Sequence, residues 1–115
     1  MKIKLYHNPR CSKSRETLTL LQQKGYEPKI IEYLSTPPTV SELKKILALL
    51  GFQPRELMRT KEAIFKDLNL ADDSRSTQEL LQAMVDNPIL IERPIVVANN
   101  RAALGRPPER ILDIL

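Results

Sequence analysis

Cys11 is the only cysteine of the chain, and it follows His7-Asn8-Pro9-Arg10 directly ahead of a stretch with helical apolar spacing. A thiol at the head of a helix faces unsatisfied N–H groups and the positive end of the helix dipole. Both favour the thiolate and lower its pKa below the free value of about 8.5. Arg10, Lys13 and Arg15 add positive charge nearby, as does His7 when protonated. This is the environment of a nucleophilic cysteine. A lone cysteine is otherwise a small buried apolar residue; the Asn-Pro turn before Cys11 and the helix after it favour the nucleophile. Ser14 stands where a Cys-x-x-Cys pair would carry a resolving thiol. Its hydroxyl either donates to the thiolate or a bound oxyanion, or only caps the first turn. His7, the sole histidine, either supports the thiolate, by charge or through a neighbour's hydrogen bond, or is a loop residue without a task. One His and one Cys are too few for a metal site.

Three arginines stand at positions other than an ordinary helix face. Arg93 precedes Pro94 and a strand-like Ile-Val-Val run, Arg106 lies in a Gly-Arg-Pro-Pro loop, and Arg59 sits between helical pieces. The guanidinium fork matches phosphate-like oxyanions, although each arginine taken singly is better read as a solvated side chain. A proline at the entrance to a core strand cannot donate to the sheet, and a cis Arg93-Pro94 bond would set its backbone beside the Cys11 loop.

The elements that must position these residues are legible from periodicity and punctuation. Ile3 to Tyr6 reads as a strand, and Ser12 to Lys24 reads as a helix stopped by Gly25. Pro28 to Tyr33 reads as a second strand, with a connection length that suits a parallel crossover. Thr39 and Glu42 fit a capping box opening a helix with Val40, Leu43, Ile46, Leu47 and Leu50 on one stripe, ended by Gly51. Pro54 to Met58 and Lys61 to Leu68 read as short helical pieces. Ser76 and Glu79 form a second capping box, for a helix closed by Asn87-Pro88. Ile95 to Ala98 is a buried-strand signal, Asn99-Asn100 a hairpin turn, Ala102 to Leu104 the returning strand, and Ile111 to Leu115 a final helix.

The bulk numbers agree with a single domain. The 115 residues, 42% hydrophobic and 28% charged, suit a globular chain rather than a disordered one. A single cysteine excludes an internal disulfide and a thiolate-built zinc site. The formal charge of +4 fits an anionic partner, either nucleic acid or a small oxyanion. Three Tyr, two Phe and no Trp offer little for base stacking, which argues against nucleic acid. No stretch approaches a signal peptide or the ~20 apolar residues of a membrane span. A cytoplasmic location is therefore expected, and it suits a free thiol.

Five segments together resemble the glutaredoxin-coupled arsenate reductase family: His7 to Arg15, Tyr33 to Pro38, Arg55 to Arg59, Asn87 to Val97 and Gly105 to Glu109. The Arg10-Cys11-Ser12-Lys13-Ser14 loop looks most like the short, chromosomally encoded bacterial members. The resemblance implies an α/β, thioredoxin-like fold with a mixed four-stranded sheet, flanking helices and a helical insertion at about 39–86 within one domain spanning 1–115. It implies that Cys11 attacks arsenate, that His7 helps keep the thiol ionised, and that Arg59, Arg93 and Arg106 bind the oxyanion. Pro94 would be the cis proline of such folds. No cofactor is expected to be bound; glutathione would be the reductant and glutaredoxin would complete reduction to arsenite. Two alternatives stay open. One is a glutathione-dependent thiol oxidoreductase acting on another substrate. The other is a redox-responsive regulator binding RNA polymerase, disfavoured because Ser14 removes the Cys-x-x-Cys switch.

Overall fold

The computed structural model describes residues 2–115. The chain divides into two compact units, one made of the segment up to Thr36 together with Arg93–Leu115, the other of Pro37–Glu92. The first unit holds β1 (Ile3–Tyr6), α1 (Ser12–Gln23), β2 (Lys29–Ile31), β3 (Ile95–Ala98), β4 (Arg101–Leu104) and a closing 3-10 turn, Pro108–Ile114. The second holds α2 (Val40–Leu50), α3 (Ala63–Asp67) and α4 (Thr77–Asp86), with 3-10 turns at Pro54–Leu57 and Pro88–Leu90.

The sheet runs β2-β1-β3-β4. β1 and β2 are parallel, while β3 is antiparallel to both β1 and β4, so the sheet is mixed as expected. Alternation along β1 explains which face is buried. Ile3 and Leu5 pair with Ala98 and Val96 across the ladder, so all four project to one side. There they form one cluster with Leu21 of α1 and with Ile111 and Ile114 of the closing turn. Asn99 and Asn100 take left-handed φ angles of 53° and 60°, which a two-residue hairpin turn requires and asparagine tolerates.

In the second unit both capping boxes form. Thr39 Oγ1 accepts from Glu42 N–H at 3.1 Å while Glu42 Oε1 accepts from Thr39 N–H at 3.1 Å, and Ser76 and Glu79 repeat the pattern. Gly51 ends α2 in the left-handed region, at φ 70°. Leu43, Ile46 and Leu47 are the buried stripe of α2, and Leu80, Leu81 and Met84 that of α4, which packs on it.

Three elements differ from expectation. β2 is shorter than Pro28–Tyr33, because Glu32 already begins a turn, its carbonyl accepting from Ser35 and Thr36 N–H. The last helix is a 3-10 helix, Pro108–Ile114, opened by Pro108. Arg93-Pro94 is cis, as anticipated, but so is Arg106-Pro107, which nothing in the spacing signalled.

Gly105 joins β4 to the second of these prolines, and its N–H donates to Pro94 O at 3.0 Å. A Cβ there would overlap Thr17 Oγ1 of α1 and lie 2.7 Å from Pro94 Cγ. Only glycine lets these three segments meet. Gly105→Ala is therefore expected to cost about 1–3 kcal/mol by overpacking, read as a lower urea midpoint; an unchanged midpoint would mean that the contact relaxes freely.

Candidate active site

The loop after β1 is shaped by its own backbone bonds. His7 N–H extends the ladder to Ile31 O at 2.8 Å. Asn8 Oδ1 then accepts from Arg10 N–H at 3.0 Å, and Asn8 O accepts from Cys11 N–H at 3.0 Å. This Asx-type turn delivers Cys11 to the N-cap of α1 in extended conformation, φ −95° and ψ 124°, with Arg15 N–H donating to its carbonyl at 3.0 Å. The thiol is half-buried and reachable from solvent. Burial pushes its pKa up, but the Ser14 amide, the Arg93 guanidinium and the Lys13 amide outweigh that, and the net shift is downward.

The nearby charge comes from a different residue than chain proximity suggests. Arg15 Nη1 donates to Pro9 O at 2.9 Å and so braces the loop, and Lys13 pairs with Glu16 at 3.5 Å on the surface. The cation acting on the sulfur is Arg93, far along the chain. Its Nε and Nη1 are buried and have no hydrogen-bond partner among the described residues. Its carbonyl accepts from Arg106 Nε at 2.8 Å, and the carbonyl of Pro94 is held by Gly105 N–H. The Gly105-Arg106 segment thus grips both carbonyls of the cis dipeptide that presents Arg93.

Ser14 and His7 act elsewhere than their first readings place them. The Ser14 side chain is fully buried, and its hydroxyl lies 2.6 Å from His7 Nδ1 and accepts from Asn8 N–H at 3.0 Å. It is thereby committed, and what Ser14 offers the sulfur is its backbone amide. His7 is buried too, and burial pushes its pKa down; Glu32 opposes this and Arg15 reinforces it, for a net lowering. A cationic His7 is therefore disfavoured, and its link to the thiol site runs through Ser14. No sequence signal marked Glu32 as its neighbour, because the two meet only through the pairing of β1 with β2.

His7, Cys11, Ser14, Arg93 and Arg106 all belong to the first unit. Arg59 belongs to the second, where Nε pairs with Glu62 and Nη1 with Glu92, each at 3.1 Å. No group of three or more His, Cys, Asp or Glu placed to hold a metal occurs among the described residues. No helix among them is long and apolar enough to cross a membrane.

The ArsC family model matches residues 6–114. The uncharacterized Escherichia coli protein YfgD is 59% identical over 114 residues, covering 98% of this chain and 96% of its own. A Haemophilus influenzae protein named arsenate reductase is 48% identical over 116 residues, covering 100% of both chains. The structure of the arsenate reductase from Vibrio cholerae matches with TM-score 0.98 at 52% identity, covering 100% of this chain and 98% of that one. The fold is α/β and thioredoxin-like, the type the sequence resemblance implied.

Two outcomes follow from the electrostatics. Arg93→Ala is expected to raise the Cys11 pKa by about one pH unit or more, read by thiolate absorbance against pH; an unmoved titration would remove Arg93 from the sulfur's environment. Because the folded thiol titrates below the unfolded one, near 8.5, the thiolate contributes stability that is fully present above the unfolded value and lost as pH falls through the folded value. Cys11→Ala should then cost more stability in alkaline than in mildly acidic buffer, and equal losses at both would contradict the shift.

Proposed function

The chain belongs to the ArsC family, and we propose that it is an arsenate reductase whose nucleophile is Cys11. The observation that carries this reading is a helix-head thiol with its ionised form favoured, set against an arginine whose buried Nε and Nη1 have no hydrogen-bond partner among the described residues. A thiolate supplies the attacking electron pair, and the planar fork suits a tetrahedral oxyanion.

The reaction balances as follows. Cys11 Sγ bonds to arsenic and one arsenate oxygen departs as water. Glutathione adds to the same arsenic through sulfur and a second oxygen departs as water. A glutaredoxin thiol then attacks the glutathione sulfur, forming a mixed disulfide and leaving two electrons on arsenic, now trivalent and still bound to Cys11. Water cleaves that last sulfur–arsenic bond, releasing arsenite and the free thiol. An outside thiol is required because the chain holds no second cysteine. Such chemistry belongs in a reducing compartment, and we assign the protein to the cytoplasm.

In this proposal Arg93 neutralises the oxyanion and its developing charge. Arg106 serves the same anion while its Nε braces the Arg93 carbonyl. Arg59 is assigned to the oxyanion by the family resemblance alone, and the helical segment at about 39–86, inside the Pro37–Glu92 unit, is taken as an insertion into one domain. His7 acts through Ser14, and Ser14 through its amide. The same thiolate would also serve a glutathione-dependent reduction of another electrophile, so arsenate and a glutathione mixed disulfide should be offered side by side.

Cys11→Ser is expected to abolish glutathione- and glutaredoxin-dependent arsenate turnover, measured as NADPH consumption in a coupled assay; turnover at the wild-type rate would refute the nucleophile. Arg93→Lys keeps the charge but loses the fork, and should raise KM for arsenate about tenfold or more. An unchanged KM would take Arg93 out of the oxyanion site.

A further inference from the structure

We propose that a cleft beside the Cys11 loop binds the α-amino-acid head of the reducing thiol, the ammonium and carboxylate carried by the γ-glutamyl end of glutathione. This rests on the external-thiol reading above and names where that thiol docks. The cleft, of about 330 Å³, is lined by His7, Asn8, Arg10, Glu32, Leu34 and Ser35, with Pro9 between. That volume lies at the lower end of small-molecule sites.

The floor of the cleft points to a ligand. His7 is only 6% exposed, and the one hydrogen bond of its ring among the described residues joins Nδ1 and Ser14 Oγ. Ser14 Oγ already accepts from Asn8 N–H, so its own proton is satisfied by donation to His7 Nδ1. Hydrogen-bond satisfaction thereby assigns the ring proton to Nε2, on a residue that lines the cleft. Nε2 has no hydrogen-bond partner among the described residues and is open to an acceptor from outside the chain.

Charge selects the class of that acceptor. Arg10 and Glu32 stand on the walls with opposite signs, and Glu32 acts electrostatically on His7. Arsenate or phosphate would gain Arg10 but meet the Glu32 carboxylate. An amino-acid zwitterion satisfies every wall at once: its carboxylate accepts from His7 Nε2 and Arg10, and its ammonium donates to Glu32. Leu34, 41% exposed, offers apolar surface to the methylene stem. Arg10 is joined directly to Cys11, one Cα–Cα step of about 3.8 Å away, so a thiol anchored here starts beside the residue that holds arsenic.

The test is an amide-resolved NMR titration of the full chain with S-methylglutathione, which binds but cannot react. Saturable shifts at His7, Arg10, Glu32 and Ser35 are expected. Glu32→Gln should weaken them about fivefold or more and raise KM for glutathione while leaving KM for arsenate unchanged. Acetylating the ligand's amino group should weaken binding to the wild type in the same way. Shifts confined to other residues, no shifts at millimolar ligand, or Glu32→Gln binding like wild type would each overturn the proposal. Binding here in a protein without arsenate turnover would keep this site and refute the arsenate reading. Turnover without binding here would do the reverse.

Discussion

On the proposed reading a half-buried sulfur must carry a negative charge, and the local architecture favours that charge. Taking a thiolate out of water disfavours it, and burial is the largest single influence on Cys11. Hydrogen bonds to a charged acceptor contribute about 1.5–3 kcal/mol each, and one pH unit of pKa corresponds to about 1.4 kcal/mol. Two amides from the first turn of α1 and one guanidinium are together large enough to reverse the burial penalty. The two sources differ in origin: helix-head amides are local and fixed, while the guanidinium must be brought from more than eighty residues away in the chain, a span read directly from the numbering of Cys11 and Arg93.

Bringing it there is the task of the sheet and of the loop beyond it. β3 lies next to β1, so the residue just before β3 reaches the loop just after β1. The carbonyl of Arg93 is then held by Arg106, and that of Pro94 by Gly105, whose missing side chain lets β4's end sit against Thr17. A long flexible side chain thus starts from a backbone that is bonded at consecutive peptide units. That limits the orientations open to its fork, which is what anion recognition needs.

Much of this was legible in the chain of letters, for identifiable reasons. Asn8-Pro9 before Cys11 encodes a local turn, and Thr39/Glu42 and Ser76/Glu79 encode reciprocal caps; such features depend on residues three or four apart and are readable without tertiary information. The failures share the opposite property. Arg15 and Lys13 are close to Cys11 in sequence but are spent on Pro9 and Glu16, whereas Arg93 is distant and acts on the sulfur. Ser14 has a hydroxyl suited to an anion, yet helix phase turns it inward onto His7. The 3-10 form of Pro108–Ile114 and the cis bond at Pro107 depend on packing that no local pattern carries.

Arg59 and Arg93 show how differently a guanidinium fork can be kept. Arg59 has its Nε and Nη1 matched by Glu62 and Glu92, so its charge is neutralised within its own unit before any ligand arrives. Arg93 keeps Nε and Nη1 buried and unmatched. Unsatisfied buried donors cost about 1–3 kcal/mol each, more when charged, so these atoms favour an acceptor. An anion accepting from them would add hydrogen bonds to the bare attraction of opposite charges. On the proposed reading, an oxyanion would have to compete with two carboxylates for Arg59 but with none of the described residues for those atoms of Arg93.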